Sequence, residues 1–129
     1  MSIVKILSID DNHYNQRLMR KMLEIKGYSV ALAQNATRGF ALIKEIKPDL
    51  ILLDIGLPDV SGFDLLRILK SDAATANIPA IAVTAYCMHG DREKCLKVGF
   101  AHYIAKPIMR QELYKAIEIT LGISHSLHH

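Results

Sequence analysis

The strongest constraint on this chain is a rhythm: short apolar runs alternate with amphipathic stretches from one end to the other. Val4 to Ile9 (VKILSI), Tyr28 to Ala33 (YSVALA), Leu50 to Leu53 (LILL), Pro79 to Val83 (PAIAV) and His102 to Ala105 (HYIA) have the length and residue types of strands. Helical spacing fills the gaps. Asn12 to Lys26 carries Leu18, Met22 and Ile25, and Gly27 stops it. A helix capped by Asn35 runs to about Lys47 and presents Phe40, Leu42, Ile43 and Ile46. Phe63 to Lys70, about Met88 to Val98, and Ile108 to about Leu121 supply three more, with Pro48 and Gly99 as boundaries. The run LILL is apolar without alternation, as a strand covered on both faces must be. Strands and helices interleaved in this way predict an α/β fold, a parallel sheet with helices on both faces.

A chain of 129 residues is the size of one domain, and half of it is apolar, enough to bury a core. The formal net charge of +3 is too small to indicate nucleic acid, and no basic run interleaved with aromatics occurs. Cys87 and Cys95 lie outside any CxxC spacing and read as free thiols of a reducing compartment. The start MSIVKILSIDD lacks the pattern of a secretory signal, and no apolar stretch is long enough to cross a bilayer. A cytoplasmic protein with no membrane or nucleic-acid partner is expected. The His-rich end, residues 123–129, reads as a disordered or appended tail.

In doubly wound parallel sheets, residues that do chemistry gather at the carboxyl ends of the strands, beside the reversal of strand order. Here that rule collects Asp10, Asp11, Asp54, Thr84 and Lys106 on one rim. Convergent carboxylates repel and are costly to ionise without a cation. Mg²⁺ suits such a site, because it takes one or two carboxylates and keeps waters and substrate oxygens. Phosphoryl transfer asks a protein mainly for positioning and charge neutralisation. In that chemistry Asp54 is the nucleophile, Lys106 a second positive charge, and Thr84 a hydroxyl donor to a phosphoryl oxygen. Taken singly, each has a plainer explanation: Asp11 as a helix cap, Thr84 as a strand end or cap, Lys106 as a solvated charge. The combination is what points to phosphate.

The motifs LSIDDN, LILLDIGLPDVSG, AVTA and YIAKPI together resemble the receiver domain of two-component response regulators, over about residues 3 to 122. The resemblance implies a flavodoxin-like doubly wound sheet of order 2-1-3-4-5, with residues 1–122 as the receiver. It assigns Asp54 as the phosphoacceptor. The Mg²⁺ shell becomes Asp11, Asp10 through water, Asp54 and the backbone carbonyl of Gly56. Thr84 is the switch hydroxyl, Ala85 the small residue that keeps the phosphoryl group accessible, and Lys106 the phosphate-pairing lysine. Pro107 would follow a cis peptide that aims Lys106 into the pocket, and Tyr103 takes the place of the switch aromatic. The implied role is a phosphorelay switch, taking a phosphoryl group from a sensor histidine kinase or a histidine phosphotransfer protein. It is a signalling domain that assists its own phosphorylation and dephosphorylation, not an enzyme. Output passes to a downstream protein target through the surface of the fourth helix, fifth strand and last helix, from a monomer or weak dimer.

Two other uses of such a fold fit less well. A phosphatase of the haloacid dehalogenase type would need DxDx[TV] at its nucleophile, whereas Asp54 is followed by Ile55, Gly56 and Leu57. A flavin carrier would need a Ser/Thr/Gly-rich phosphate loop where this chain has Asp-Asp-Asn-His. Gly56 and Tyr86 flank the pocket with opposing expected effects on phosphate lifetime. His13 reads as a surface residue opening a helix. With Tyr14, Arg17 and Arg20 it forms the face where the upstream donor is expected. Tyr86, Met88, His89, Cys95 and Tyr103 are candidates for the output surface. Met1 directly before the first strand favours a stand-alone regulator over a receiver from a hybrid kinase.

Overall fold

Every side chain of Leu50–Leu53 is buried, and this segment, β3, is the centre of a five-stranded parallel sheet. The structure is a computed structural model and describes residues 3–85 and 91–123. The other strands are β1 Lys5–Ile9, β2 Ser29–Ala33, β4 Ala80–Thr84 and β5 His102–Ala105, in the order β2-β1-β3-β4-β5 expected from the resemblance. Helices α1 His13–Ile25, α2 Ala36–Ile46, α3 Gly62–Lys70, α4 Asp91–Val98 and α5 Arg110–Leu121 alternate with them. The two-residue period of the strands divides their side chains between two cores. Leu7, Ile9, Ile51, Leu53, Ala80 and Ala82 pack with α2, α3 and α4, while Ile6, Leu50, Leu52, Ile81 and Val83 pack with α1 and α5. Each fully buried Leu or Ile contributes about 1.5–3 kcal/mol, so neither layer is dispensable. The chain runs outward from β1 to β2 and then crosses back to β3, so strand order reverses between β1 and β3. Ile9 pairs with Leu53 across that reversal, which sets Asp10 and Asp54 side by side.

The apolar face expected for α1 is rotated. Of Leu18, Met22 and Ile25, expected on its apolar face, Met22 packs partly buried on the core, but Gln16, Met19 and Leu23 are the buried residues, while Leu18 is 43% and Ile25 72% exposed. The reason is a buried amide whose bonds are all made. Ser8 Oγ donates to Gln16 Oε1 at 2.7 Å, and Gln16 Nε2 donates to the carbonyls of Ser8 (3.1 Å) and Ala33 (2.9 Å). A buried polar group with its partners in place carries little penalty, so a glutamine can take a core position that pattern reading reserves for an apolar residue.

Two smaller corrections concern the last helix and Cys95. The last helix begins at Arg110, not Ile108, because Met109 is its N-cap with extended backbone (φ −94, ψ 126). Cys95 is fully buried among the α2–α4 core residues and so leaves the list of output-surface candidates. Tyr86, Met88 and His89, the expected start of α4 and the terminal tail from Ser124 lie outside the described residues.

Candidate functional site

Each rim residue is placed by its strand. Asp10 follows β1, and its N–H continues the β1–β2 ladder to the Ala33 carbonyl at 3.0 Å. Asp54 follows β3, with its N–H on the Ile9 carbonyl at 3.0 Å. Both carboxylates fold back onto their own chain. Asn12 N–H donates to Asp10 Oδ1 at 2.9 Å, and Gly56 N–H donates to Asp54 Oδ1 at 3.1 Å. Those bonds leave the other oxygen of each acid facing its neighbour, and Lys106 lies between them. Its Nζ donates to Asp10 Oδ2 at 2.8 Å and to Asp54 Oδ2 at 3.0 Å.

Lys106 is therefore not a solvated surface charge. Its side chain is only 14% exposed, and its N–H donates to the Thr84 carbonyl at 2.9 Å, carrying the β4–β5 pairing one residue past the strands. Burial alone would pull the ammonium down, but the bonds and charges of Asp10 and Asp54 outweigh it and its pKa is raised. The Lys106–Pro107 peptide is cis, as the resemblance implies. Asp11 is exposed and does not cap α1; Asn12 does, accepting from Asn15 N–H at 2.9 Å.

Thr84 ends β4 and is fully buried, and Ala85 beyond it is exposed. Tyr103 lies on β5, partly buried against the α2–α4 core. Gly56 is exposed in the β3–α3 connection.

Carboxylate oxygens of Asp10, Asp11 and Asp54 lie within 4.8 Å of one another. Lys106 supplies one positive charge against these three acids, leaving an excess of two negative charges when all are ionised. Asp11 opens the cluster to solvent. An all-oxygen donor set of that charge, with an open side, fits a hard divalent cation.

Sequence reading gave no role to Gly62 or to Asp59. Gly62 ends the motif LILLDIGLPDVSG, and a Cβ there would lie 2.7 Å from the Asp54 carbonyl oxygen and 2.7 Å from Ile55 Cα. A glycine at the first position of a helix, directly after the Ser61 cap, was the available signal of close backbone approach. Asp59 was given no role, and nothing local marks it. Its Oδ1 accepts from Ala36 N–H at 2.9 Å, and its Oδ2 from Thr37 N–H at 2.9 Å and Thr37 Oγ1 at 2.7 Å.

Known proteins carry the same arrangement of chain. Residues 6–118 match the response regulator receiver domain family. The polar-differentiation response regulator DivK of Brucella anthropi is 39% identical over 117 residues, which are 91% of this chain and 95% of that protein. The receiver domain of sensor histidine kinase PA1611 from Pseudomonas aeruginosa PAO1, solved with magnesium coordinated in its active-site cleft, superposes with a TM-score of 0.85. It is 33% identical and covers 94% of this chain and 99% of its own. A CheY-like receiver domain protein from Methanospirillum hungatei JF-1 gives a TM-score of 0.85 at 31% identity, covering 94% of this chain and 95% of its own. With the strand order, the acidic cluster and the family match in agreement, the chain belongs to the response regulator receiver domains.

Proposed function

We propose that Asp54 is the phosphoacceptor of this receiver and that Asp10, Asp11, Asp54 and the Gly56 carbonyl hold Mg²⁺ beside it. A receiver is a signalling phosphoacceptor of two-component systems, and what requires assignment is which residues perform each task. One observation carries the assignment: the Lys106 ammonium bonds Asp10 and Asp54 at once, within a cluster whose third acid, Asp11, is left open to solvent. Asp54 is held at Oδ1 by the Gly56 N–H and at Oδ2 by Lys106, so the carboxylate plane is fixed before a donor arrives. Preorganisation of that kind is the main contribution a protein makes to phosphoryl transfer. Bound at the acids, Mg²⁺ would supply the positive charge that draws phosphoryl oxygens toward Asp54. Lys106 sits where it can pair with a phosphoryl oxygen, and Thr84 would donate its hydroxyl to another. In this way the chain assists its own phosphorylation and dephosphorylation.

Each new charge-assisted hydrogen bond is worth about 1.5–3 kcal/mol, which suits a population shift between nearby states more than a refolding. Tyr103 on β5 is the aromatic placed to report that shift. It borders a groove of about 220 Å³ with Arg92, Glu112, Lys115 and Ile119 on α4 and α5, the surface assigned to output. The phosphodonor, a histidine kinase or histidine phosphotransfer protein, is assigned to the other side of the rim. There a groove of about 410 Å³ runs between α1 and the start of α5, lined by Tyr14, Leu18, Met22, Ile108 and Met109, with Lys106 at its edge. The rotated face of α1 is what leaves Tyr14 and Leu18 free to line it. No described helix is long and apolar enough to cross a membrane, and a cytoplasmic place and a receiver spanning residues 1–122 are part of the same reading. The test is phosphoryl incorporation from a phosphorylated donor with Mg²⁺. Asp54→Ala should gain no label, and incorporation at the wild-type rate would refute the assignment.

A further inference from the structure

The connection between β3 and α3 carries Asp54 and Gly56, so whatever fixes it also fixes the metal-binding oxygens. At its base the loop is closed by the Gly62 N–H on the Ile55 carbonyl at 2.9 Å. Ile55 and Leu57 are buried and Val60 packs on the α2–α4 core. Gly56, Pro58 and Asp59 remain exposed. Gly56 has no side chain to anchor, and its wide conformational freedom must be limited from elsewhere.

The first turn of α2 has unsatisfied N–H groups to offer. Its own cap, Asn35, takes Arg38 N–H at 2.8 Å with the side chain and Gly39 N–H at 3.0 Å with the carbonyl. Ala36 and Thr37 are left over, and both are taken by Asp59, with the Thr37 hydroxyl as a third donor. That turn contains no acid of its own, so Asp59 also provides the negative charge the helix dipole favours. These bonds hold the carboxylate of Asp59 well below the usual range, Ala36 N–H foremost. The loop gains a fixed point three residues beyond Gly56.

We propose that Asp59 is a positioning residue for the metal site: by tethering the middle of the β3–α3 connection to α2, it sets where Gly56 stands beside Asp54. This rests on the reading of Gly56 as a metal ligand. The comparison that tests it is Asp59→Ala against Asn35→Ala, since both uncap α2 and only the first releases the loop. In the metal-free protein, Asp59→Ala should speed exchange of the Gly56, Leu57 and Val60 amides, and Asn35→Ala should not. In a Mg²⁺ titration followed by the amide shifts of Asn12 and Gly56, Asp59→Ala should bind about tenfold more weakly, as loss of an outer support commonly does. Asn35→Ala should bind as wild type despite a similar fall in thermal midpoint. Thr37→Val, which loses one of the three bonds, should fall between them and serves if Asp59→Ala folds poorly. Equal Mg²⁺ affinity and equal loop exchange in the Asp59 and Asn35 variants would overturn the proposal and leave Asp59 a helix cap only. If wild type shows no Mg²⁺-dependent shifts, the metal reading and the role of Gly56 in it fail. The exchange contrast still decides whether the tether exists.

Discussion

Asp54 and Asp59 stand five residues apart in one connection, and their surroundings are opposite. Asp54 is 7% exposed, faces Asp10 and shares a single ammonium with it, so its charge is incompletely neutralised. Asp59 is exposed, yet both its oxygens accept hydrogen bonds from α2. The interior acid, the proposed phosphoacceptor, holds two donors, Gly56 N–H and Lys106 Nζ, while the surface acid holds three. Burial by itself therefore does not tell how far a carboxylate is tied into the frame. The number of donors each carboxylate already holds does.

The largest expected effect falls at the base of this connection, next to Asp54. Gly62→Ala would relieve the cost of glycine in a helix, about 1 kcal/mol. The new Cβ, however, meets the Asp54 carbonyl and Ile55 Cα, which are backbone and cannot rotate aside. A net loss of about 3 kcal/mol is expected by urea denaturation, at the upper end for overpacking. A variant as stable as wild type would mean that the Asp54 end of the loop shifts freely, and the contrast with Asp59 would lose its footing. Lys106→Ala comes next. It removes the ammonium between Asp10 and Asp54, and phosphoryl transfer to Asp54 should slow about a hundredfold, the usual cost of one lost charge-stabilising donor. Mg²⁺ should bind more tightly to the same variant, because the acids keep their repulsion and lose their internal cation. Opposite movements of rate and metal affinity would show that the charge on Asp54 is only partly answered. Parallel losses would place Lys106 in the frame and not in the chemistry.

The parts legible from sequence were those governed by strand ends. LILL ran to Asp54 without a gap, and the acids after β1 and β3 needed only the reversal of strand order to meet. Lys106 reached the same place from 52 residues beyond Asp54, which composition could not show and the shared motifs could. The face of α1 was misread because Gln16 is polar by type and core by position, a fact decided by the Ser8 and Ala33 partners it meets only after folding. Asp59 was invisible for a related reason. Its partners at Ala36 and Thr37 lie more than twenty residues earlier, and a carboxylate in a turn gives no sign of which helix it will cap.

The smallest effect is a pH dependence at the Asp59 end. Folding lowers the pKa of this acid, with the Ala36 N–H the leading cause and Thr37 and Val60 adding to it. Its ionised form is thus favoured in the folded state. The stability it contributes is complete above its unfolded value of about 4 and is lost as pH falls through the lower folded value. Since the group is exposed, water and salt screen it, and the contribution should be that of an ordinary side-chain cap, about 1 kcal/mol. Asp59→Asn should therefore be less stable than wild type by about that amount at pH 7, and the gap should narrow as urea denaturation is repeated below about pH 4. A gap that stays constant with pH would show that the Asp59 bonds are equally good to a neutral acceptor, and the charge would then be no part of what holds the loop.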